Sequence, residues 1–239
     1  MRPPNPTSEY ILRDQERMQL APNYFEWQAR SVKEHVGRRV LEIGCGLGNF
    51  TRHVLDREFV VGIDVEEACL ERLRHRFPDC SNVLVRLLDV LDPEFLELKR
   101  YHLDSIVMLN VLEHVPDDAL ALRHMHAILP SGGNVILILP AFESLYGPID
   151  ANLGHYRRYS KVPFRTLAER QGFHVRILRY MNCVGFLGWW VNARIFKRTN
   201  QSEAQIKFFD SKVVPLLSRL EAMSAPPVGQ SLFAVLEKG

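Results

Sequence analysis

The sequence predicts the α/β class, with a doubly wound parallel sheet at its centre. Three observations carry that expectation. Five short apolar runs alternate with amphipathic stretches between residues 37 and 140. The runs are continuously apolar rather than alternating, as strands are when helices cover both faces of a sheet. The first run leads straight into a glycine-rich turn, Gly44-Cys45-Gly46-Leu47-Gly48, and a ligand is expected at the carboxyl ends of the strands.

The elements follow in chain order. The first twenty or so residues are Pro-rich and then charged, and read as a mobile arm or lid. From residue 23 the pattern turns helical, with Phe25, Ala29, Val32 and Val36 on one face and Gly37 as its left-handed stop. A strand over 39–43, the glycine turn and a helical stretch over 49–57 come next, then a strand over 59–63. Residues 67–77 form a helix with Leu70, Leu73 and Phe77 on one stripe and Pro78 after it. Strands over 83–88 and 103–109 precede a helix over 116–129, which has Pro116 in its first turn and Leu122, Met125 and Leu129 facing inward. Ser131-Gly132-Gly133 turns into a strand over 134–139. Beyond Pro140 the pattern loosens: a loop-like stretch over 141–161, a helix over 163–171 ended by Gly172, and a strand over 173–180. An aromatic helix-like stretch over 185–198, a helix over 211–223 and a strand over 231–236 complete the chain. The expected division is an N-terminal arm and lid helix (1–36), a ligand-binding core (37–140) and a C-terminal region holding the last strands (141–239).

Bulk properties bound the function. The 239 residues are 46% hydrophobic and 24% charged, an ordinary globular composition large enough for a substantial core. A formal net charge of +2 demands neither nucleic acid nor an anionic membrane as a partner. Cys45, Cys69, Cys80 and Cys183 are scattered and read as free thiols in a reducing compartment. The N-terminus lacks the apolar core of a signal peptide, and no run approaches the roughly 18 apolar residues of a membrane span. A cytoplasmic protein is expected.

Chemistry concentrates at the strand ends. Glycines at 44, 46 and 48 let backbone approach a ligand closely, with helix N–H groups aimed at it. Asn49 stands where the dinucleotide fingerprint has Gly or Ala, and no Lys-Ser/Thr pair follows, which excludes a phosphate-binding P-loop. Asp64 closes the second strand about twenty residues on, where a carboxylate accepts both hydroxyls of a ribose; a helix cap is the plainer use of the same residue. Asp89 ends the third strand, placed to accept from an adenine amino group with Val90 packing on the ring. Asn110 ends the fourth strand in Leu109-Asn110-Val111-Leu112-Glu113-His114-Val115-Pro116.

Over residues 38–140 this set resembles the class I S-adenosylmethionine-dependent methyltransferases of the small-molecule, ubiquinone-biosynthesis-like type, and the stretch from Tyr146 to Ser160 resembles an uncharacterised bacterial subset of them. The resemblance implies a Rossmann-like, seven-stranded, mostly parallel sheet with an acceptor-shaping insertion interleaved with its last strands. It implies S-adenosylmethionine as cofactor. Glu42 and the backbone of Gly44, Cys45 and Gly46 would hold its amino-acid end, Asp64 with Val65 the ribose side, Asp89 and Val90 the adenine, and Asn110 the methionine moiety. His114 matches the segment that borders the acceptor pocket.

The expected reaction is methyl transfer to an O, N or C atom of a small-molecule acceptor. A base is needed mainly for a hydroxyl or an acidic carbon. His114 and His155 are the candidates, with Asp150, Tyr156 and Tyr159 behind them, while Arg157 and Arg158 suit an acidic group on the acceptor. Tyr24 and Trp27 either close over the cofactor or face the core, and Tyr24, Tyr156, Arg157 and Tyr159 are the residues expected to bind acceptor. The frame of a metalloprotease motif is missing, and no metal and no nucleic-acid partner are expected. Gly185-Phe186-Leu187-Gly188-Trp189-Trp190, followed by Phe196 and two basic residues, reads as a helix lining the pocket lid or as a surface touching a membrane or lipid-linked acceptor. Rival functions are a non-catalytic cofactor-sensing module and, more remotely, a nicotinamide oxidoreductase.

Overall fold

The computed structural model describes residues 7–191 and 202–239. Residues 1–6 and the end of the aromatic stretch, with Phe196, Lys197 and Arg198, lie outside the described residues. Among those described, seven strands form one sheet: β1 (Arg39–Ile43), β2 (Phe59–Asp64), β3 (Val83–Leu87), β4 (Ser105–Leu109), β5 (Asn134–Pro140), β6 (Phe173–Met181) and β7 (Ser231–Lys238). Their spatial order is β3-β2-β1-β4-β5-β7-β6. The first five are parallel, and β7 runs antiparallel between β5 and β6.

Successive residues of a strand point to opposite faces, and here both faces are covered. Leu41, Ile63, Ile106, Met108 and Leu137 pack on Leu122 and Met125 of α4 (Asp118–Ile128) and on Phe164 of α6 (Lys161–Arg170). Val40, Val60, Val107, Ile136 and Ile138 pack on Trp27 and Val32 of α2 (Pro22–Lys33) and on Val214 and Leu217 of α9 (Val214–Met223). This double burial is why the strands read as unbroken apolar runs. Strand order reverses between β1 and β4, so their crossovers leave on opposite faces and a crevice opens at their carboxyl ends.

Several elements differ from the sequence expectation. Part of the supposed arm is a helix, α1 (Ser8–Met18), capped by the Thr7 hydroxyl on the Tyr10 N–H. None of its residues is fully buried, although Tyr10, Ile11, Leu12 and Met18 make it amphipathic. Residues 49–57 form only a 3₁₀ turn over Thr51–His53, where His53 and Val54 donate to carbonyls three residues back. Pro93–Tyr101 forms a nine-residue 3₁₀ helix started by Asp92. The helix expected from residue 116 starts at Asp118, with Asp117 capping the Leu120 N–H at 2.8 Å. The loop-like stretch contains a turn at Glu143–Leu145 and α5 (Pro148–Leu153). Glu67–Arg76 (α3) and Cys183–Val191 (α7) fall where helical stretches were expected. The last helix starts earlier, as α8 (Glu203–Phe208), and widens into a π turn at Phe209–Val213 before α9. Pro215 has no N–H for an α-helical bond to residue 211, so the ladder must loosen there. No described helix is long and apolar enough to cross a membrane.

Ile136 lies at the centre of β5, fully buried. Ile136→Ala should therefore cost about 2–5 kcal/mol, read as a lower urea midpoint with an unchanged slope.

Candidate functional site

The crevice is built where β1 hands over to the glycine turn. The N–H groups of Gly44 and Cys45 both donate to the Ile63 carbonyl, at 2.8 and 3.1 Å, tying the turn to the end of β2. Gly46 N–H donates to Asp64 Oδ2 at 2.8 Å, and Glu66 N–H to Asp64 Oδ1 at 3.0 Å. The N-cap of α3 is Glu66 and not Asp64, which instead holds backbone of the turn and of the residue before that helix. Each oxygen keeps a second lone pair for a ribose hydroxyl. Burial raises its pKa, opposed by these backbone donors. Gly44 has φ +74°, and a Cβ there would sit 2.3 Å from Val111 Cγ2. This position needs glycine for conformation and for space.

The other strand ends gather round this turn. Leu88 N–H donates to the Asp64 carbonyl at 3.0 Å, which ties the end of β3 to the end of β2. Val65 is 64% exposed, whereas Val90 is buried in the core among Leu88, Phe95 and Leu98. Of the two, Val65 alone offers apolar surface at these strand ends, and the side chain of Val90 does not. Asp89 is exposed, with Oδ1 accepting from Leu91 N–H at 2.8 Å. Asn110 is exposed at the end of β4 in the left-handed region, φ 54°, with its N–H on the Ile138 carbonyl. Asn tolerates that conformation better than most residues. Cys45 turns its thiol into the core against Leu70 and Leu73, leaving only its backbone for a ligand. Beneath the turn lies Glu42, 4% exposed, accepting from the Thr51 hydroxyl at 2.6 Å. Burial pushes its pKa up to about 8.

Beside this half lies a cluster of charged and imidazole groups. Asp150 accepts from His155 Nδ1 at 2.9 Å, from Arg158 Nε and Nη2 at 2.8 Å each, and from Gly147 N–H at 3.0 Å. Burial works against its charge, but the His155 hydrogen bond and the Arg158 guanidinium outweigh that and hold its carboxyl below the usual range. A carboxylate only accepts, so it places the His155 proton on Nδ1 and leaves Nε2 with a lone pair. That Nε2 lies 4.0 Å from Glu113 Oε1. Glu113 is fully buried, and among the described residues neither carboxyl oxygen has a hydrogen-bond partner from another residue. Burial pushes its pKa up to about 7. The His114 ring meets His155 edge-on at 4.6 Å; it is accessible to solvent yet ringed by protein, and burial pushes its pKa down to about 3. Glu113, His114 and His155 bring donor atoms within 4.8 Å of one another, a separation a divalent cation could span, where no metal was expected.

Sequence reasoning missed α1. Its Gln15 carbonyl accepts from Asn49 Nδ2 at 3.4 Å, and a Cβ on Gly46 would meet Gln15 Oε1 at 2.8 Å. Arg72 of α3 pairs with Glu16 at 2.5 Å. Asp14, whose carboxyl burial pushes up, lies within electrostatic reach of His155. One helix thus covers the glycine turn and approaches the cluster. The sequence hints were its position ahead of the core, where an arm or lid was expected, and the apolar residues Tyr10, Ile11, Leu12 and Met18.

Several expected acceptor residues are occupied elsewhere. Arg157 is spent on Asp118 at 2.8 Å and the Pro116 carbonyl at 2.7 Å, holding the start of α4. Tyr159 is buried, donating to the Leu112 carbonyl at 3.2 Å and contacting Asp118 Oδ2 at 3.1 Å. Arg158 serves Asp150 and the Ala141 carbonyl. Tyr24 packs edge-on against Trp27 with its hydroxyl beside Ser231, Gln28 and Asn182, which makes it part of the core rather than a cover for the cofactor. Tyr156 stays at the site, half-buried, with its N–H on the Glu113 carbonyl.

Comparisons with known proteins find methyltransferases among those this chain is similar to. Residues 41–135 match the model of a family described as a methyltransferase domain. The chain is 36% identical over 103 residues to the ubiquinone biosynthesis O-methyltransferase of Pseudomonas aeruginosa, covering 42% of this chain and 44% of that protein. The chain thus spans less than half the length of the curated relatives it first matches. Among solved structures, a SAM-dependent methyltransferase from Thermotoga maritima is similar at a TM-score of 0.64 and 17% identity, over 97% of both chains. An S-adenosylmethionine-dependent methyltransferase from Mesorhizobium loti gives 0.59 and 18%, over 88% of this chain and 96% of that one. The [4+2]-cyclase SpnF gives 0.61 at 14% identity, over 98% of both chains, so this likeness carries the fold and not an activity.

Two outcomes follow from the geometry. Gly132 has φ +77° with open space around it, while Gly44 has φ +74° and the Val111 contact. Gly132→Ala should cost about 1 kcal/mol, and Gly44→Ala clearly more, in paired urea titrations. Glu42, with a folded pKa of about 8 against 4.5 for an ordinary Glu, binds a proton in the native state that the unfolded chain releases. Its contribution is complete below about pH 4.5 and is lost as pH rises towards about 8. The stability of the unmodified chain relative to Glu42→Gln should fall across that window; a constant difference would show that Glu42 is not held protonated.

Proposed function

We propose that this chain, whose residues 41–135 form a methyltransferase domain of the class I, S-adenosylmethionine-dependent kind, methylates a hydroxyl group of a small-molecule acceptor. The observation that carries the reading is a glycine cradle at the sheet's switch point beside a histidine whose proton is fixed by a buried carboxylate.

The residues present fit the cofactor. Gly44 to Gly46 offer close backbone approach, and Glu42 lies beneath them for an ammonium group. Asp64 keeps lone pairs for ribose hydroxyls, Asp89 faces outward for an adenine amino group, and Val65, just past the end of β2, offers apolar surface. Asn110 borders the methionine end. When bound, S-adenosylmethionine supplies a methyl group on a sulfonium, an electrophile open to in-line displacement.

The chain's own task is to position the acceptor and take its proton. His155 Nε2 accepts the hydroxyl proton as the new carbon–oxygen bond forms, and Asp150 stabilises the resulting imidazolium. Glu113, 4.0 Å from Nε2, places a second carboxyl beside the ring where the imidazolium develops. His114, with its low pKa, stays neutral and lines the acceptor side of the cleft. Closure by α1 excludes water from the transfer. A hydroxyl acceptor is favoured over an amine because an amine would not need this proton-accepting pair.

Calorimetry with S-adenosylhomocysteine should give saturable binding, and Asp64→Ala should weaken it by about tenfold or more, the loss of charge-assisted hydrogen bonds. With radiolabelled S-adenosylmethionine and a panel of hydroxylated small molecules, Asp150→Asn and His155→Asn should lower turnover by about 10²–10⁴-fold while leaving cofactor affinity intact. Binding without transfer to any acceptor would identify a cofactor-sensing module instead. No binding of either nucleoside would refute the reading.

A further inference from the structure

The outer face of the C-terminal helices has no role in the site just described. Along α9 and the turn before it, Lys212, Leu216, Arg219, Leu220 and Met223 recur at i, i+4, i+7, i+8 and i+11, and all five are exposed. They form one stripe. Leu216, Leu220 and Met223 are 62%, 54% and 85% exposed, a large apolar display for one short helix. Lys212 and Arg219 make no ion pair among the described residues.

The carboxylates nearby are turned inward. Asp210 is buried and accepts from the N–H groups of Tyr24 and Asn23, at 2.8 and 3.3 Å, capping the start of α2. Glu221 is buried and accepts from the N–H groups of Asn182 and Cys183 at 2.9 Å each, capping the start of α7. Residues 211–229 contain only three charged side chains, Lys212, Arg219 and the buried Glu221. The outward face is therefore apolar and cationic, although the chain as a whole is nearly neutral.

The Glu221 cap also fixes the start of α7 beside α9. Residues 183–191 carry no charge at all, and Val184, Leu187 and Trp190 are exposed. Trp189 turns the other way, into a cluster with Leu145 and Ile149, under the Arg158 guanidinium at 4.9 Å. Of the two tryptophans, Trp190 alone is presented outward. A half-exposed Trp beside aliphatic side chains and lysine or arginine suits the boundary between headgroups and acyl chains.

We infer that the adjoining outer faces of α7 and α9 form a docking surface for an anionic phospholipid bilayer, with Leu216, Leu220, Met223, Leu187 and Trp190 entering the interface and Lys212 and Arg219 meeting the headgroups. The charge pattern commits the face to a negatively charged occupant. Its aliphatic character and lack of exposed acids set it apart from a face made to pair with a protein. The inner side of α7 packs against α5, which carries Asp150, so a docked bilayer lies one helix away from the His155 cluster. The inference is independent of the proposed chemistry, because it is read without cofactor or acceptor.

The test is flotation of the full chain with phosphatidylcholine vesicles, with and without phosphatidylglycerol, at low and high salt. Binding should require phosphatidylglycerol and fade with salt. Lys212→Ala with Arg219→Ala should weaken it by about thirty-fold, the worth of two surface cations. Leu216→Ser with Leu220→Ser should abolish it. Both pairs are exposed, so an unchanged unfolding midpoint certifies the fold. Absence of binding to anionic vesicles at low salt overturns the inference, as does binding that both double variants retain. Concentration-dependent self-association that the serine pair abolishes, without vesicle binding, would assign the face to a second copy of the chain.

Discussion

Everything at the strand ends depends on how β2 holds the glycine turn. The Ile63 carbonyl takes two N–H groups from Gly44 and Cys45, and the Asp64 carboxylate takes one from Gly46 and one from Glu66. Four donors from two segments converge on two adjacent residues. This bond set fixes the path of residues 44–46, and the positive φ at Gly44 and Gly46 is what lets the chain follow it. Val111 then packs into the space that a side chain on Gly44 would fill, which brings Asn110 and the Glu113-His114 pair to the same crevice. A break in the clamp would release the turn, the end of β4 and the seat of α1 together.

Carboxylates do much of the architectural work. Asp104 takes the N–H groups of Arg38 and Arg39, Asp117 caps α4, Asp210 caps α2 and Glu221 caps α7. Asp150, deeper, is matched by His155, Arg158 and Gly147. Glu113 breaks the pattern: fully buried, with neither oxygen partnered by another described residue, beside a histidine whose tautomer is already set. A buried carboxyl in that state is costly, and such groups concentrate where a protein does chemistry. Turning acids inward as caps has a second consequence, since it strips negative charge from the outer face of the C-terminal helices.

The sheet was legible because burial on both faces imposes continuous apolar runs, and five β–α units left little choice of topology. Gly44, Asp64, Asp89 and Asn110 were legible as a set because each ends or follows a strand. Val90 was misread: in the turn after β3 it packs into the core, while Val65, just past the end of β2, stays outside. Arg157 and Tyr159 were misread for a different reason. Their partners, Asp118 and Leu112, lie some forty residues away, and nothing local reveals such pairings. Helix α1 escaped because it has few apolar residues amid many charged ones, and its contacts with the glycine turn are polar. The His155–Asp150 pair was half visible, as two polar residues in a Gly- and Tyr-rich stretch, but only the α5 cap and the left-handed Gly154 bring them together.

The central claim is that the clamp at the end of β2 holds an adenosyl cofactor. A crystal structure of the chain with S-adenosylhomocysteine tests it most directly. The account expects the ribose hydroxyls on the Asp64 carboxylate, the adenine between Val65 and Asp89, and the amino-acid end against residues 44–46 above Glu42. A nucleoside bound away from these strand ends, or saturating ligand that leaves the crevice empty, would contradict it.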